Sequence, residues 1–179
     1  CQSLAAHGVR YALVGGYAVA LHGAVRGTVD IDIVIDWTLK ALRKTESALN
    51  SLGLVSRLPL SADDVFAFRD EYVKNRNLIA WNFHNPADIS QQVDVVITYD
   101  LTGKRRYRVP RASGPLFLLA KEDLLAMKKV SGRPQDLADV AAKAGWLGLY
   151  LLRLGKQAIA FQYGLEYGGR YLAMKPGYD

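Results

Sequence analysis

The chain has 179 residues and a formal net charge of +6, from 23 Lys and Arg against 17 Asp and Glu. This length suits one domain with a sizeable core, and the modest positive charge is compatible with a polyanionic ligand without requiring one. The single cysteine, Cys1, excludes an internal disulfide, and the sequence shows neither a signal peptide nor a long apolar run. We therefore expect a cytoplasmic protein with no membrane partner.

The first informative segment is a strand that ends in two glycines. Residues Ala12-Leu13-Val14 predict the strand, and Tyr17 to His22 predict a short helix after Gly15-Gly16. Such a Gly pair is most often a tight turn, but it also leaves backbone N–H groups exposed at the start of a helix, where anions bind.

Two carboxylates follow on the next predicted strand. Asp30 and Asp32 are two residues apart, so both point to one face, whereas Ile31, Ile33 and Ile35 point to the other, into a core. Repulsion and desolvation disfavour two adjacent anions unless a cation lies between them. The simplest cation is Mg²⁺, or Mn²⁺ in its place, which binds one or two carboxylates together with phosphate oxygens. The Gly pair and the Asp pair thus predict one phosphate and metal site.

Two helices are predicted between residues 38 and 72. Thr38 is a suitable N-cap for a helix that extends to about Leu52, before Gly53. Ser61 and Asp64 resemble a capping box at the start of a second helix that continues through Tyr72. The acidic pair Asp63-Asp64 is therefore interpreted as part of the helix start and not as a metal site.

A third carboxylate lies on a later strand, QQVDVVIT. Val93, Val95 and Ile97 face one way, and Asp94 faces the other. An Asp in an apolar strand is costly without a partner, so Asp94 is predicted to join the first two carboxylates if its strand lies beside theirs.

The most basic stretch, residues 104–111, is predicted to be the return strand of a hairpin after Asp100. Basic residues interleaved with an aromatic side chain fit an RNA-contacting edge. They equally fit an edge strand protected against aggregation, which is the interpretation we favour.

The predicted helix KEDLLAMKKV places Lys128 in an apolar stripe beside Leu124 and Leu125, so this lysine should have an anionic partner. Pro134 is predicted to begin another helix, with Asp136 near its N-terminus. After Trp146 the sequence predicts an apolar helix that is too short and too interrupted to span a membrane.

The pattern VGGYAVALHG, followed by Arg26, Thr28 and Asp30-Ile31-Asp32-Ile33, resembles the signature of the DNA polymerase beta-like nucleotidyltransferase superfamily. The similarity is greatest to the small bacterial branch that includes abortive-infection and toxin–antitoxin nucleotidyltransferases, and it covers roughly residues 9–144. It implies that Gly15 and Gly16 hold a nucleoside triphosphate, and that the three carboxylates Asp30, Asp32 and Asp94 bind divalent metal, with two ions in the complete site.

A second run, MKKVSGRPQDLADV, resembles the C-terminal motif of these small enzymes. The resemblance implies that Lys128 contacts phosphate or substrate and that Arg133 and Asp136 support it, although helix capping explains the last two equally well. Arg26 and Thr28 precede the first two carboxylates, where a cation would meet phosphate or neutralise the acidic cluster.

We therefore predict a mixed-sheet α/β fold of the nucleotidyltransferase type, with a core over 1–112 and a helical C-terminal part over 113–179 packed on it as one unit. The expected reaction moves a nucleoside monophosphate from an NTP to a hydroxyl acceptor, which could be RNA, a partner protein or a small molecule. The alternative is a non-catalytic, antitoxin-like or regulatory protein that binds NTP.

Overall fold

A computed structural model describes residues 1–21, 30–112, 114–131, 147–154, 157–167 and 170–173 of the chain. The chain divides into two compact units, Cys1–Leu124 and Leu125–Asp179. The predictions for His22, Arg26, Thr28, Arg133 and Asp136, and for the helix that begins at Pro134, fall outside the described residues.

The described elements alternate between helices and strands along most of the first unit. The helices are α1 (Gln2–Ala6), α2 (Gly15–Leu21), α3 (Leu39–Asn50), α4 (Ala62–Ala67), α5 (Arg69–Asn75) and α6 (Lys121–Ser131). The strands are β1 (Tyr11–Leu13), β2 (Ile31–Ile35), β3 (Val55–Ser56), β4 (Ala80–Asn85), β5 (Asp88–Val96), β6 (Arg106–Val109), β7 (Leu116–Leu119), β8 (Leu147–Leu154), β9 (Gln157–Tyr167) and β10 (Arg170–Ala173).

Strands β1 to β7 form one mixed sheet with the order β3-β4-β5-β2-β1-β7-β6. The pairs β2/β5 and β1/β7 are parallel, and the remaining neighbours are antiparallel. Helices flank this sheet, so the predicted mixed-sheet α/β fold is confirmed. The parallel pairing of β2 with β5 matters most, because it brings together two strands that are far apart in sequence.

The core lies against the apolar side chains of the central strands. Ile33 and Ile35 of β2 are 0% and 1% exposed, as predicted, whereas Ile31 is only half-buried and Val34 is buried as well. The largest buried side chains are Trp81 and Phe83 of β4 and Tyr11 of β1. Since alternate residues of a strand point to opposite faces, Asn82 between Trp81 and Phe83 is directed away from them. The rings of Trp81 and Phe83 meet edge to face, with centroids 4.6 Å apart.

Both predicted helix starts are confirmed. The Thr38 hydroxyl accepts a hydrogen bond from the backbone N–H of Ala41, and Ser61 and Asp64 form a reciprocal capping box. The second helix, however, does not continue unbroken to Tyr72 as predicted, because it breaks at Phe68 into α4 and α5. The first residue of α5, Arg69, donates from its guanidinium to the carbonyl of Ile97, which anchors α5 separately from α4.

The basic strand β6 lies at the edge of the sheet, but its predicted hairpin partner was wrong. It pairs with the strand that follows it, β7, so that Arg106 faces Leu119. Asp100 instead accepts hydrogen bonds from the backbone N–H groups of Trp37 and Thr102, which closes the loop before β6. The edge position agrees with the protective interpretation of the basic residues, while RNA contact stays a prediction.

The apolar segment after Trp146 is not a helix, which corrects the prediction of a helical C-terminal part. It forms β8, which pairs antiparallel with β9, and β10 completes a separate sheet in the order β10-β9-β8. Leu147, Leu149 and Leu151 already alternate in the sequence with the period of a strand. Packing of this part on the core stays a prediction.

Across the residues that the structure describes, no helix combines the length and apolar character needed to cross a membrane.

Candidate active site

The candidate site is built on the parallel strands β2 and β5. Asp32 of β2 is the register partner of Asp94 of β5, between the pairs Ile31–Val93 and Ile33–Val95. Register partners point to the same face, and neighbouring strands are about 4.8 Å apart, so the two carboxylates are adjacent. The structure thus brings Asp94 beside the Asp30–Asp32 strand, as its placement in the sequence predicted. We call this side of the sheet the carboxylate face.

Gly15 lies against the Asp32 carboxylate on this face. The backbone N–H of Val14 donates to the carbonyl of Asp32 at 2.9 Å, so the turn after β1 lies directly against β2. The Cγ atom of Asp32 is 2.5 Å from the position that a Cβ on Gly15 would take, and the backbone of Gly15 has φ +60°. A side chain at this position would therefore displace the Asp32 carboxylate.

Gly16 is buried within the first turn of α2. The structure therefore assigns the two glycines different environments: Gly15 leaves space for a carboxylate, and Gly16 packs inside a short helix. Their predicted contact with a nucleotide stays a prediction.

Asp94 is held from the other side by β4. The side-chain amide of Asn82, its register partner on β4, donates to Asp94 Oδ1 at 2.8 Å. Burial raises the pKa of the Asp94 carboxyl, and this effect outweighs the hydrogen bond from Asn82, which lowers the pKa. The negative charge of Asp30 raises the pKa further, and the positive charge of Arg57 lowers it.

Asp30 directly precedes β2 and is exposed. The negative charge of Asp30 acts on the Asp94 carboxyl, so these two carboxylates interact electrostatically. Neighbouring anions favour a cation between them or a proton on one carboxylate.

Polar residues extend this face along the β4–β5 hairpin. His84 and Gln92 are register partners two residues beyond Asn82 and Asp94, and Arg57 donates to Gln92 Oε1 at 3.3 Å. The Nδ1 atom of His84 is buried, and among the described residues it has no hydrogen-bond partner. Sequence reasoning missed these residues, although the alternation of AWNFH already placed Asn82 and His84 opposite the buried aromatic side chains.

Lys128 of α6 is 5% exposed, whereas Lys129 is exposed. The inward orientation predicted from the apolar stripe is therefore confirmed. Burial of an ammonium group requires compensation by an anion or hydrogen-bond acceptors.

The carboxylates fit a divalent ion whose coordination shell is completed by a bound ligand. Within the described ranges, no group of three His, Cys, Asp or Glu side chains could hold a metal ion by itself. Magnesium commonly takes only one or two carboxylates and completes its octahedral shell with phosphate oxygens and water. The pair Asp32 and Asp94 therefore fits an ion that arrives with a phosphate ligand better than an ion held by the protein alone.

The fold and the site together define a mixed-sheet α/β protein with paired carboxylates at adjacent parallel strands. A family model described as an acetyltransferase (GNAT) domain matches residues 111–179. A solved structure, an antigenic nucleotidyltransferase-like protein from Paracoccidioides brasiliensis, is similar with 19% sequence identity and a TM-score of 0.49, over 78% of this chain and 69% of that chain. No curated protein matches.

The two matches name transferase-type proteins that differ in the group transferred. The acetyltransferase match covers less than half of this chain, and it includes β7, which is hydrogen-bonded into the seven-stranded sheet. The fold class stated above therefore depends on the sheet itself and not on either similarity.

Proposed function

We propose that the protein is a metal-dependent nucleotidyltransferase, which moves a nucleoside monophosphate from an NTP to a hydroxyl acceptor. The observation that carries this proposal is the register pairing of Asp32 with Asp94, next to a glycine turn that leaves space for the Asp32 carboxylate. The resemblance of the Gly-Gly and Asp-Ile-Asp motifs to small bacterial nucleotidyltransferases supports this proposal. Because that branch includes abortive-infection and toxin–antitoxin enzymes, we include such a role in the proposal.

In this proposal, Asp30 and Asp32 would hold Mg²⁺ or Mn²⁺, which would neutralise the negative charge of the triphosphate. Two such ions, when bound, would stabilise the charge on the attacking and leaving oxygens. The backbone at Gly15 and Gly16 contacts the phosphates. The resemblance alone assigns Lys128 to the same group, where it would supply a compact positive charge. Arg26, Thr28, Arg133 and Asp136 are assigned to the nucleotide by the resemblance alone.

Asp94 is assigned to the hydroxyl acceptor of the reaction. Its carboxylate accepts the proton of the attacking hydroxyl while the oxygen of that hydroxyl bonds to the α-phosphorus of the NTP. The bond from the α-phosphorus to the bridging oxygen breaks, and pyrophosphate leaves with the electron pair. The raised pKa of the Asp94 carboxyl suits a group that must hold a proton briefly. RNA, a partner protein and a small hydroxyl compound all remain acceptor classes under this proposal.

Incubation with each α-labelled NTP, Mg²⁺ and cell extract tests the reaction, because the macromolecule or small molecule that becomes labelled identifies the acceptor class. The matched control is Asp94→Asn, which keeps the shape of the side chain but cannot accept the proton. Label that appears with the unmodified protein and not with Asp94→Asn supports the proposal. Equal labelling by both proteins contradicts it.

The alternative from the resemblance is a non-catalytic, antitoxin-like or regulatory protein that binds NTP. Saturable NTP binding without transfer to any acceptor class would favour this alternative. The three carboxylates favour the enzyme, because binding alone does not require a proton acceptor next to the phosphate site.

A second candidate function comes from the match of residues 111–179 to an acetyltransferase domain. The specific observation in its favour is that β8, β9 and β10 form their own antiparallel sheet, apart from the seven-stranded one. Transfer of labelled acetyl groups from acetyl-coenzyme A by the intact chain would support it. Such transfer should persist in Asp32→Asn and Asp94→Asn, whereas nucleotidyl transfer should not, so the two activities are separable.

A further inference from the structure

The side chain of Asn82 on β4 donates a hydrogen bond to the Asp94 carboxylate, and its backbone is anchored by contacts on both sides. The residues on either side, Trp81 and Phe83, are 0% and 1% exposed and pack in the core. The Asn82 carbonyl also accepts the backbone N–H of Arg57 at 2.9 Å. A side chain on such a rigid backbone can set the orientation of its partner.

We propose that Asn82 is a positioning residue for Asp94. Its amide donates to Asp94 Oδ1 at 2.8 Å and holds the carboxylate plane in one orientation beside Asp32. This inference rests on the nucleotidyl-transfer function proposed above, and it adds a residue that lies outside both sequence motifs and outside the matched range 111–179.

The chemistry of an amide suits this position. Asn donates hydrogen bonds but carries no charge, so it orients a carboxylate without adding a further anion to Asp30, Asp32 and Asp94. A lysine at residue 82 would compete with a metal ion for the same oxygens, and an aspartate would increase the repulsion. Residues that orient metal-binding or reacting carboxylates in this way commonly change activity by about 10–100-fold when removed.

The first test measures transfer from labelled NTP with Mg²⁺ by the full chain. Asn82→Ala should lower kcat by about 10–100-fold and leave KM for the NTP nearly unchanged. Asn82→Gln retains a donor amide and should keep more of the activity than Asn82→Ala. The matched control is Asn85→Ala on the same strand, since Asn85 donates to Gln91 and not to a carboxylate of the site. This control should leave kcat unchanged.

The second test needs neither metal nor activity. Thermal unfolding of the metal-free protein is measured for Asn82→Ala, Asp94→Ala and the double variant. Asn82→Ala should lower Tm in the unmodified background, because it leaves the half-buried carboxylate without its donor. In the Asp94→Ala background the same change should have a much smaller effect. Equal effects in both backgrounds would overturn the inferred coupling. If Asn82→Ala does not fold, Asn82→Leu replaces it in both tests, because it keeps a similar volume and also lacks the donor amide.

The outcomes separate the two proposals. If the unmodified protein transfers nucleotide and Asn82→Ala does so at the same kcat, the inference about Asn82 is wrong and the proposed function stands. A parallel rise in KM with no loss of kcat would also overturn it, because it would place Asn82 in nucleotide binding. If the unmodified protein transfers no nucleotide, the proposed function fails, and the positioning role in that reaction fails with it.

Discussion

Asp32 of β2 and Asp94 of β5 are register partners on two parallel strands, although 62 residues separate them in the chain. Parallel neighbours require a long crossover, here the segment that contains α3, β3, α4, α5 and β4. The crossover brings two carboxylates to the same face of the sheet, on neighbouring strands. Such a carboxylate pair is suited to a reaction whose substrate binds together with a metal cation.

Gly15→Ala should destabilise the protein and displace Asp32. The substitution places a Cβ against the Asp32 carboxylate and also forces an L side chain into a backbone with positive φ, which by itself costs roughly 1–2 kcal/mol. Gly53→Ala is the matched control, because Gly53 also has positive φ but no atom within 4 Å of its added Cβ. Chemical unfolding should show a larger loss for Gly15→Ala than for Gly53→Ala. Equal losses would mean that the carboxylate moves aside freely.

Asp32→Asn or Asp30→Asn should abolish Mg²⁺-dependent transfer while the fold stays intact or becomes more stable. Removal of one charge relieves repulsion in the metal-free protein, but it also removes a ligand for the ion. Transfer and thermal unfolding are measured together, with Asp70→Asn as a control because Asp70 pairs with Lys74 on the exposed helix α5. Variants that unfold yet remain active at low temperature would show that the carboxylates are structural.

Asp94→Asn should reduce turnover by orders of magnitude and weaken NTP binding much less. The reason is that Asp94 is assigned to the acceptor proton, whereas Asp30 and Asp32 are assigned to the nucleotide. Single-turnover transfer gives the rate, and equilibrium titration with a non-hydrolysable NTP gives the affinity. A variant that loses affinity and turnover to the same extent would place Asp94 in nucleotide binding instead.

Lys128→Ala should weaken NTP binding or slow transfer, and Lys129→Ala should do little, because Lys128 is buried and Lys129 is exposed on the same helix. A lysine charge near the leaving pyrophosphate would stabilise the developing negative charge. Lys128→Met retains the aliphatic bulk and separates packing from charge. If Lys128→Met lowers Tm but leaves NTP affinity and turnover unchanged, Lys128 has a structural role only.

Local patterns in the sequence determined several elements of the structure without help from the rest of the chain. The Thr38 N-cap and the Ser61–Asp64 capping box are formed by residues three positions apart, and the burial of Lys128 follows from helical periodicity. Such contacts join residues a few positions apart, and they depend on backbone geometry that is the same in every helix and strand. The shared face of Asp30 and Asp32 stays a prediction, because β2 begins at Ile31 and Asp30 precedes it.

Only the tertiary structure decided which strands pair and in which register. A shift of β5 by one residue would turn Asp94 into the core, and nothing in the sequence around Asp94 names Asp32 or Asn82 as its neighbours. The same holds for the approach of Asp32 to Gly15, for the pairing of β6 with β7, and for the sheet formed after Trp146. These contacts join residues distant in the chain, and their free energy depends on the packing of all the strands together, which no local pattern contains.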